Sequence, residues 1–177
     1  SMYKKDKSKK PRRKLYMKML LSKKVKLPYN IIGNNIDTVL LNKLTDELEG
    51  KCNNEGYIKP NSLSIITYSS GMIVGNSVIF DVAFECQVCR PVEGTKLSCI
   101  VRNVTKAGIR AEINNKQSPL IIFIARDHHH QSKYFSMQKE GDIINVRIIG
   151  QRFELNDKYI SVIATLIEPK AIGAKKT

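Results

Sequence analysis

Apolar residues recur every four positions at Ile36, Leu40, Leu44 and Leu48, with Val39 and Leu41 widening the stripe, and the chain has no second clear amphipathic helix of this kind. Gly33, Asn34 and Asn35 supply turn and N-cap chemistry ahead of the stripe. Asp37 falls in the first turn and Gly50 just past the end. The spacing predicts a helix over 36–49 whose four-residue stripe is plain core. Almost everything around it has the short, alternating or β-branched character of strands, so this one helix has to bury its face on a sheet. The fold class expected is α+β.

From Leu15 the apolar residues Leu15, Met17, Met19, Leu21, Val25 and Leu27 alternate with Lys18, Ser22, Lys24 and Lys26, which is strand periodicity ending at Pro28. After Tyr57 and Ile58 come three more candidate strands, Ser62 to Tyr68, Met72 to Val74 and Val78 to Val88. Pro91 to Gly94 breaks the pattern and marks a boundary, giving units at 15–90 and 91–174. Beyond it, Lys96 to Val104, Ile109 to Ile113, Leu120 to Ala125, Asp142 to Ile149 and Tyr159 to Ile167 form five strands with the long insertion after the third. That is the pattern of a five-stranded OB barrel, with a small sandwich as the alternative.

A chain of 177 residues, 42% hydrophobic, can make one ordinary domain or two small ones. Its longest apolar run, Leu120 to Ala125, is far below the roughly 20 residues that span a bilayer. No apolar segment follows the basic N-terminus, so a soluble, intracellular protein without a membrane partner is expected, and Ser1 before Met2 reads as a cleavage remnant. The net charge of +14 is concentrated at the start, because residues 1–26 hold twelve Lys/Arg against Asp6 alone. Residues 1–14 are too poor in apolar groups to offset the entropy of ordering and read as a disordered tail. A solubilising extension and a nucleic-acid-binding arm fit that tail equally well.

Little points to catalysis. Cys86 and Cys89 have C-x-x-C spacing, but no second such pair exists, and on an alternating strand the two would face opposite sides. All four cysteines are therefore expected as free thiols that pack as small hydrophobes. His128, His129 and His130 are consecutive on a loop and do not converge easily on one ion, so no metal is expected. No carboxylates pair as an acid/base couple, and no phosphate loop of the G-x-x-x-x-G-K-S/T form occurs. A thiol or zinc enzyme built on Cys86 and Cys89 remains as a rival, tested by metal and thiol assays.

The helix closes on Gly50, Lys51, Cys52, Asn53, Asn54, Glu55, Gly56, Tyr57 and Ile58. This run resembles the G-x-C-x(3–4)-G-Y-I turn in the stalk subunit of multisubunit RNA polymerases, the seventh subunit of the eukaryotic messenger-making enzyme and its archaeal counterpart. Similar segments lie in the same order on both sides: Val25 to Pro28 with Gly33, Pro91 with Gly94, Lys139 to Asp142, and the closing Leu166 to Ala174. The basic extension, with abundant Lys, Ile and Asn and no Trp, looks most like homologues from large DNA viruses.

The resemblance implies a truncated, RNP-like N-terminal domain that docks on the polymerase core, and an OB barrel of the ribosomal-protein S-one type directed at emerging RNA. Docking would fall to Gly50, Cys52, Gly56, Tyr57 and Ile58, with a second stalk subunit between the domains. RNA contact would fall to Arg102, Lys106, Arg110, Phe123, Arg126, Arg147, Arg152 and Lys158, without any cofactor. In one respect the chain departs from the type. Ala107, Gly108, Ile109 and Arg110 stand where RNA-binding S-one domains carry aromatics, leaving Phe123, with Tyr134 and Phe135, as the stacking platform. A polymerase subunit would sit in the nucleus, or in virion and host cytoplasm if viral. A free-standing RNA-binding protein of translation or decay is the other rival, since fold alone does not choose.

Overall fold

A computed structural model describes residues 14–170. Residues 1–13, which hold nearly all of the basic tail, and 171–177, which include the end of the closing segment, lie outside the described residues.

The first sheet is built on one long strand. In chain order it comprises β1 (Met17–Pro28), α1 (Ile36–Leu48), β2 (Cys52–Asn53), β3 (Gly56–Ile58), β4 (Ser64–Tyr68), β5 (Met72–Val74) and β6 (Ser77–Cys89). The strands run β1-β6-β3-β2, with β4 and β5 also pairing along β6. Strict alternation in β6 sends Val78, Phe80, Val82, Phe84, Cys86 and Val88 to one face, where they bury Leu40 and Leu44 of α1 together with Val25, Leu27 and Ile58. Helix α1 follows the sequence stripe and ends one residue early, although Asn35 at its N-cap makes no side-chain cap. Gly50 takes up φ +71, which lets the chain leave the helix, and its N–H donates to the Ile58 carbonyl at 2.9 Å.

The second half closes into a barrel of β7 (Lys96–Val104), β8 (Gly108–Glu112), β9 (Leu120–Ala125), β10 (Ile143–Arg152) and β11 (Ile160–Ile167), in the order β10-β11-β9-β8-β7. Closure excludes the sandwich. The β9–β11 pair is parallel and the others antiparallel. Inward residues such as Val101, Ile109, Ile122, Ile124, Val146 and Val162 are fully buried.

The insertion after β9 carries a short helix, α2 (Lys133–Ser136), capped by the Ser132 hydroxyl, which accepts the Phe135 N–H at 3.0 Å. Four residues are too few to show periodicity, so the sequence did not reveal it. It corrects the expected stacking platform. Phe135 is only 1% exposed and belongs to the barrel core, so its ring is not presented to a base, while Tyr134 is half-buried against the same core.

The two units share more than a linker. Cys52 N–H donates to the Asp157 carbonyl and Asn156 N–H donates back to the Cys52 carbonyl, both at 2.8 Å. This clips β2 to the loop between β10 and β11. Tyr16, Cys52 and Cys89 join the barrel's buried cluster, and the Tyr16 hydroxyl donates to the Gln117 carbonyl at 2.6 Å. Cys86 lies instead in the N-terminal core, so the two C-x-x-C thiols enter different cores.

Burial pushes the thiols up, to about 11 for Cys52 and Cys86 and about 12 for Cys89 and Cys99. All four should resist alkylation at pH 8 in the native protein and react on unfolding in urea, as read by mass spectrometry. Because each folded value is raised, the stabilisation from burying neutral thiols is complete below their ordinary value of 9.0 and is lost as pH climbs through 11–12.

Candidate nucleic-acid interface

On the outside of the barrel the register brings three side chains into one row. Phe123 of β9 is opposite Arg110 of β8 and beside Ile163 of β11. Phe123 is 38% exposed, and Arg110 and Ile163 are also open to solvent. Gly108 makes room for this row: a Cβ there would lie 2.2 Å from the Ile124 carbonyl oxygen and 3.1 Å from the Phe123 ring. The departure at Ala107 and Gly108 thus removes aromatics from the turn and lets the strand end approach β9 closely.

The cations divide into groups. Arg102 and Arg110 both approach Glu112, at 3.4 and 3.9 Å, which partly offsets their charge beside Phe123. Arg126 is half-buried and already engaged: its Nε and Nη2 donate to the carbonyls of Lys106 and Thr105 at 3.0 and 2.9 Å, and its guanidinium lies 5.1 Å from the centroid of the Phe135 ring. It clasps the β7–β8 turn. Lys106 is exposed on that turn. Arg147 sits apart, opposite Lys96 and Thr165, and donates to the Gly94 carbonyl at 3.2 Å. Arg152, paired with Glu154 at 3.5 Å, and Lys158 lie toward the opposite end of β11 from Arg147. The fold therefore gathers Arg102, Lys106, Arg110 and Phe123 on one side and leaves Arg147, Arg152 and Lys158 outside that group.

His129 is also part of the barrel's closure. Its Nδ1 is 2.8 Å from the Ala125 carbonyl, its Nε2 accepts the Leu166 N–H at 3.0 Å, and its ring stacks on Phe135 at 4.9 Å. That pattern uses both nitrogens within the fold and needs the neutral ring protonated on Nδ1.

The glycine turn after α1 is interior. Ile58 is fully buried in the N-terminal core, Cys52 and Gly56 are buried, and Gly50 and Tyr57 are half-buried. Tyr57 packs against the barrel core, 6.5 Å from Tyr16 between ring centroids. Apolar surface is exposed elsewhere: Tyr29, Ile31, Met72, Ile73 and Val74 lie at the far end of the first sheet, where Pro28 pairs with Ser77 and Tyr29 N–H donates to the Asn76 carbonyl. Sequence patterning placed Met72 to Val74 on a strand but gave Tyr29 and Ile31, which follow the end of β1 in a 3-10 turn, no element, and the exposure of all five appears only in the fold. A groove of about 880 Å³ also opens where the units meet, lined by Tyr16, Met17, Met19, Cys89, Pro91 and Leu97 among others.

By architecture the chain is a two-unit protein of known class, a small α+β unit with an exposed apolar end, hydrogen-bonded to a five-stranded OB-type barrel whose outer face carries cations and an open Phe. No family model matches the chain. A DNA-directed RNA polymerase subunit of Acanthamoeba polyphaga mimivirus is 31% identical over 173 residues, covering 87% of this chain and 83% of that protein. DNA-directed RNA polymerase II subunit RPB7 of Glycine max is 27% identical over 162 residues, 82% and 89% of the two chains. Subunit 7 of the Arabidopsis thaliana enzyme is 28% identical over 114 residues, 63% and 62%. The chain belongs to the family of the seventh, stalk subunit of DNA-directed RNA polymerases. It is a non-catalytic component of such an enzyme.

Proposed function

We propose that the protein docks on the polymerase core beside the mobile clamp, through its N-terminal unit, and carries its barrel toward emerging RNA. The exposed apolar end formed by Tyr29, Ile31, Met72, Ile73 and Val74 is the observation that supports docking. It lies roughly a full length of β6 from the barrel, on the order of 40 Å, so contact there leaves the barrel free to project. In this reading the buried turn of Gly50, Cys52, Gly56, Tyr57 and Ile58 acts by holding the angle between docking end and barrel. The groove along Tyr16, Met19 and Pro91 accommodates a second stalk subunit. Likeness to the mimivirus protein favours work in virion and host cytoplasm over the nucleus.

Replacing Met72 and Ile73 together by Ser should reduce co-purification with the largest polymerase subunits at least tenfold, the loss of about 1.4 kcal/mol or more expected when central apolar contacts are removed. Thermal unfolding of the barrel should be unchanged. Full co-purification of a folded variant would refute docking through this end.

RNA contact rests on the row at Phe123 and on the tail. The tail's eight Lys/Arg, from Lys4 to Lys14, act through counterion release. Deleting residues 2–14 should lower affinity for single-stranded RNA and flatten the slope of log K against log salt by several units, up to about 5.6 if every cation meets a phosphate. An unchanged slope would make the tail a solubilising extension.

A further inference from the structure

At the end of the barrel away from the first sheet, one strand outruns its neighbour. The parallel ladder between β9 and β11 ends at Ile124 and Ala164, where β9 turns off into the insertion that carries α2, but β11 runs on to Ile167. Alternate backbone N–H groups of β11 point toward β9, beginning with Ile160, which donates to the Pro119 carbonyl, and the same phase reaches Leu166. With β9 gone, Leu166 needs another acceptor. His129 of the insertion supplies it: Nε2 accepts the Leu166 N–H at 3.0 Å while Nδ1 lies 2.8 Å from the Ala125 carbonyl, so one imidazole stands in for the missing length of strand. Beyond it the Glu168 carboxylate accepts the Ser132 hydroxyl, the group that caps α2. These contacts fasten the insertion to the end of β11. Only the one through His129 fails outright on gaining a proton, since a hydroxyl can reverse its bond to a carboxylic acid whereas an imidazolium has no lone pair to offer.

A proton on Nε2 would aim one N–H at another, the Leu166 amide. It would also put a positive ring against Phe135, which already carries the Arg126 guanidinium 5.1 Å from its centroid. The charged groups on the surrounding elements are Arg126 and Asp127 in the turn after β9, Lys133 of α2, Lys106 on the β7–β8 turn, Arg110 and Glu112 of β8, and Glu168 and Lys170 beyond β11, with His128 and His130 on either side. Glu112 is engaged by Arg102 and Arg110, and Glu168 by Ser132. No carboxylate forms an ion pair with His129 among the described residues. Histidine is the side chain whose charge ordinarily changes between about pH 5 and 8, so acid is the signal this contact can register.

From this geometry we infer that His129 is a proton-operated latch, which holds the insertion from Arg126 to Ser136 on the end of β11 while the ring is neutral and releases it when Nε2 is protonated. The hold is present at neutral pH and is lost as pH falls and the ring gains its proton. Because Arg126 clasps the β7–β8 turn from the same insertion, that turn loosens with the latch.

The test is hydrogen exchange of the full chain, followed by NMR at about pH 7.5 and about pH 5, with each rate referred to that of an unfolded amide at the same pH. Protection of the Leu166 amide should fall about tenfold in acid, the worth of one lost hydrogen bond. The Val162 amide, within the β9–β11 ladder, should stay protected. His129→Gln offers the Leu166 N–H an amide oxygen that does not titrate, with His128, His130 and every carboxylate still in place, and should keep its protection in acid. His129→Phe keeps a ring to stack on Phe135 but has no acceptor, and should leave Leu166 poorly protected at both pH values. Equal wild-type protection at the two pH values overturns the inference, as does full protection in the His129→Phe protein. An acid loss that persists in a folded His129→Gln protein also overturns it, because another group then drives the opening. If the Gln variant does not fold, the ring-nitrogen shifts of wild-type His129 decide. Protonation of Nε2 in step with the loss at Leu166 bears the latch out, and a loss at Leu166 with Nε2 unprotonated refutes it.

Discussion

Gly56→Ala should destabilise the protein by about 3 kcal/mol or more, a large effect for one added methyl. Gly56 adopts φ +136, a region L-residues rarely enter, and a Cβ there would lie 2.4 Å from the Cys89 carbonyl oxygen and 3.0 Å from a Val88 methyl. The Cys89 carbonyl belongs to backbone that pairs with β3 through Tyr57 and cannot swing aside. Moving β3 away would also disturb β2, and with it the Cys52 hydrogen bonds that clip the units together. The variant should therefore lose stability in urea and, in the proposed assembly, lose polymerase association as the angle between the units relaxes. Gly75→Ala is the control, since Gly75 has φ +60 but nothing within 4 Å of a Cβ, and should cost only about 1 kcal/mol. Equal urea midpoints for the two variants would remove the steric argument.

Phe135→Ala should cost about 3–5 kcal/mol, the usual range for emptying a buried aromatic site. The ring plugs the barrel and supports two further groups, the Arg126 guanidinium 5.1 Å from its centroid and the stacked His129 imidazole. With the plug gone, the His129 bridge from Ala125 to Leu166 should loosen, so the Leu166 amide, held at 3.0 Å by His129 Nε2, should exchange hydrogen faster than its neighbours on β11. Phe135→Leu should recover much of the stability and leave RNA affinity as in the wild type. A loss of RNA affinity in a stable Phe135→Leu protein would return Phe135 to the stacking platform.

Much of the architecture was legible in the residues. The stripe through Leu40 and Leu44, the alternation of β6, the count of five later strands and the glycine that ends α1 all report burial on one side of a local element, and periodicity records that directly. The turn of Gly50 to Ile58 was legible as a motif but not as an interior one. Only the folded chain shows that Gly56 is small because the Cys89 carbonyl passes 2.4 Å from where its Cβ would be, and that Cys52 hydrogen-bonds across to Asp157.

The candidate site divides the same way. That cations and a few aromatics, Phe123, Tyr134 and Phe135 among them, occupy the barrel could be read from the sequence. Which of them act together could not, because neighbours such as Arg110, Phe123 and Ile163 are set by strand register. Phe135 looks like an interface residue by type and is held inside the barrel core, while Arg126 is half-buried with its guanidinium bonded to the β7–β8 turn. Which faces are apolar and where the longer elements lie, to within a few residues, followed from the order of residues alone, since those properties depend on neighbours a few positions away. Barrel closure, the packing of Tyr16, Cys52 and Cys89 across the junction, and the exposure of Met72 and Ile73 at the far end emerged only in three dimensions, because each depends on which distant surface arrives to cover a side chain.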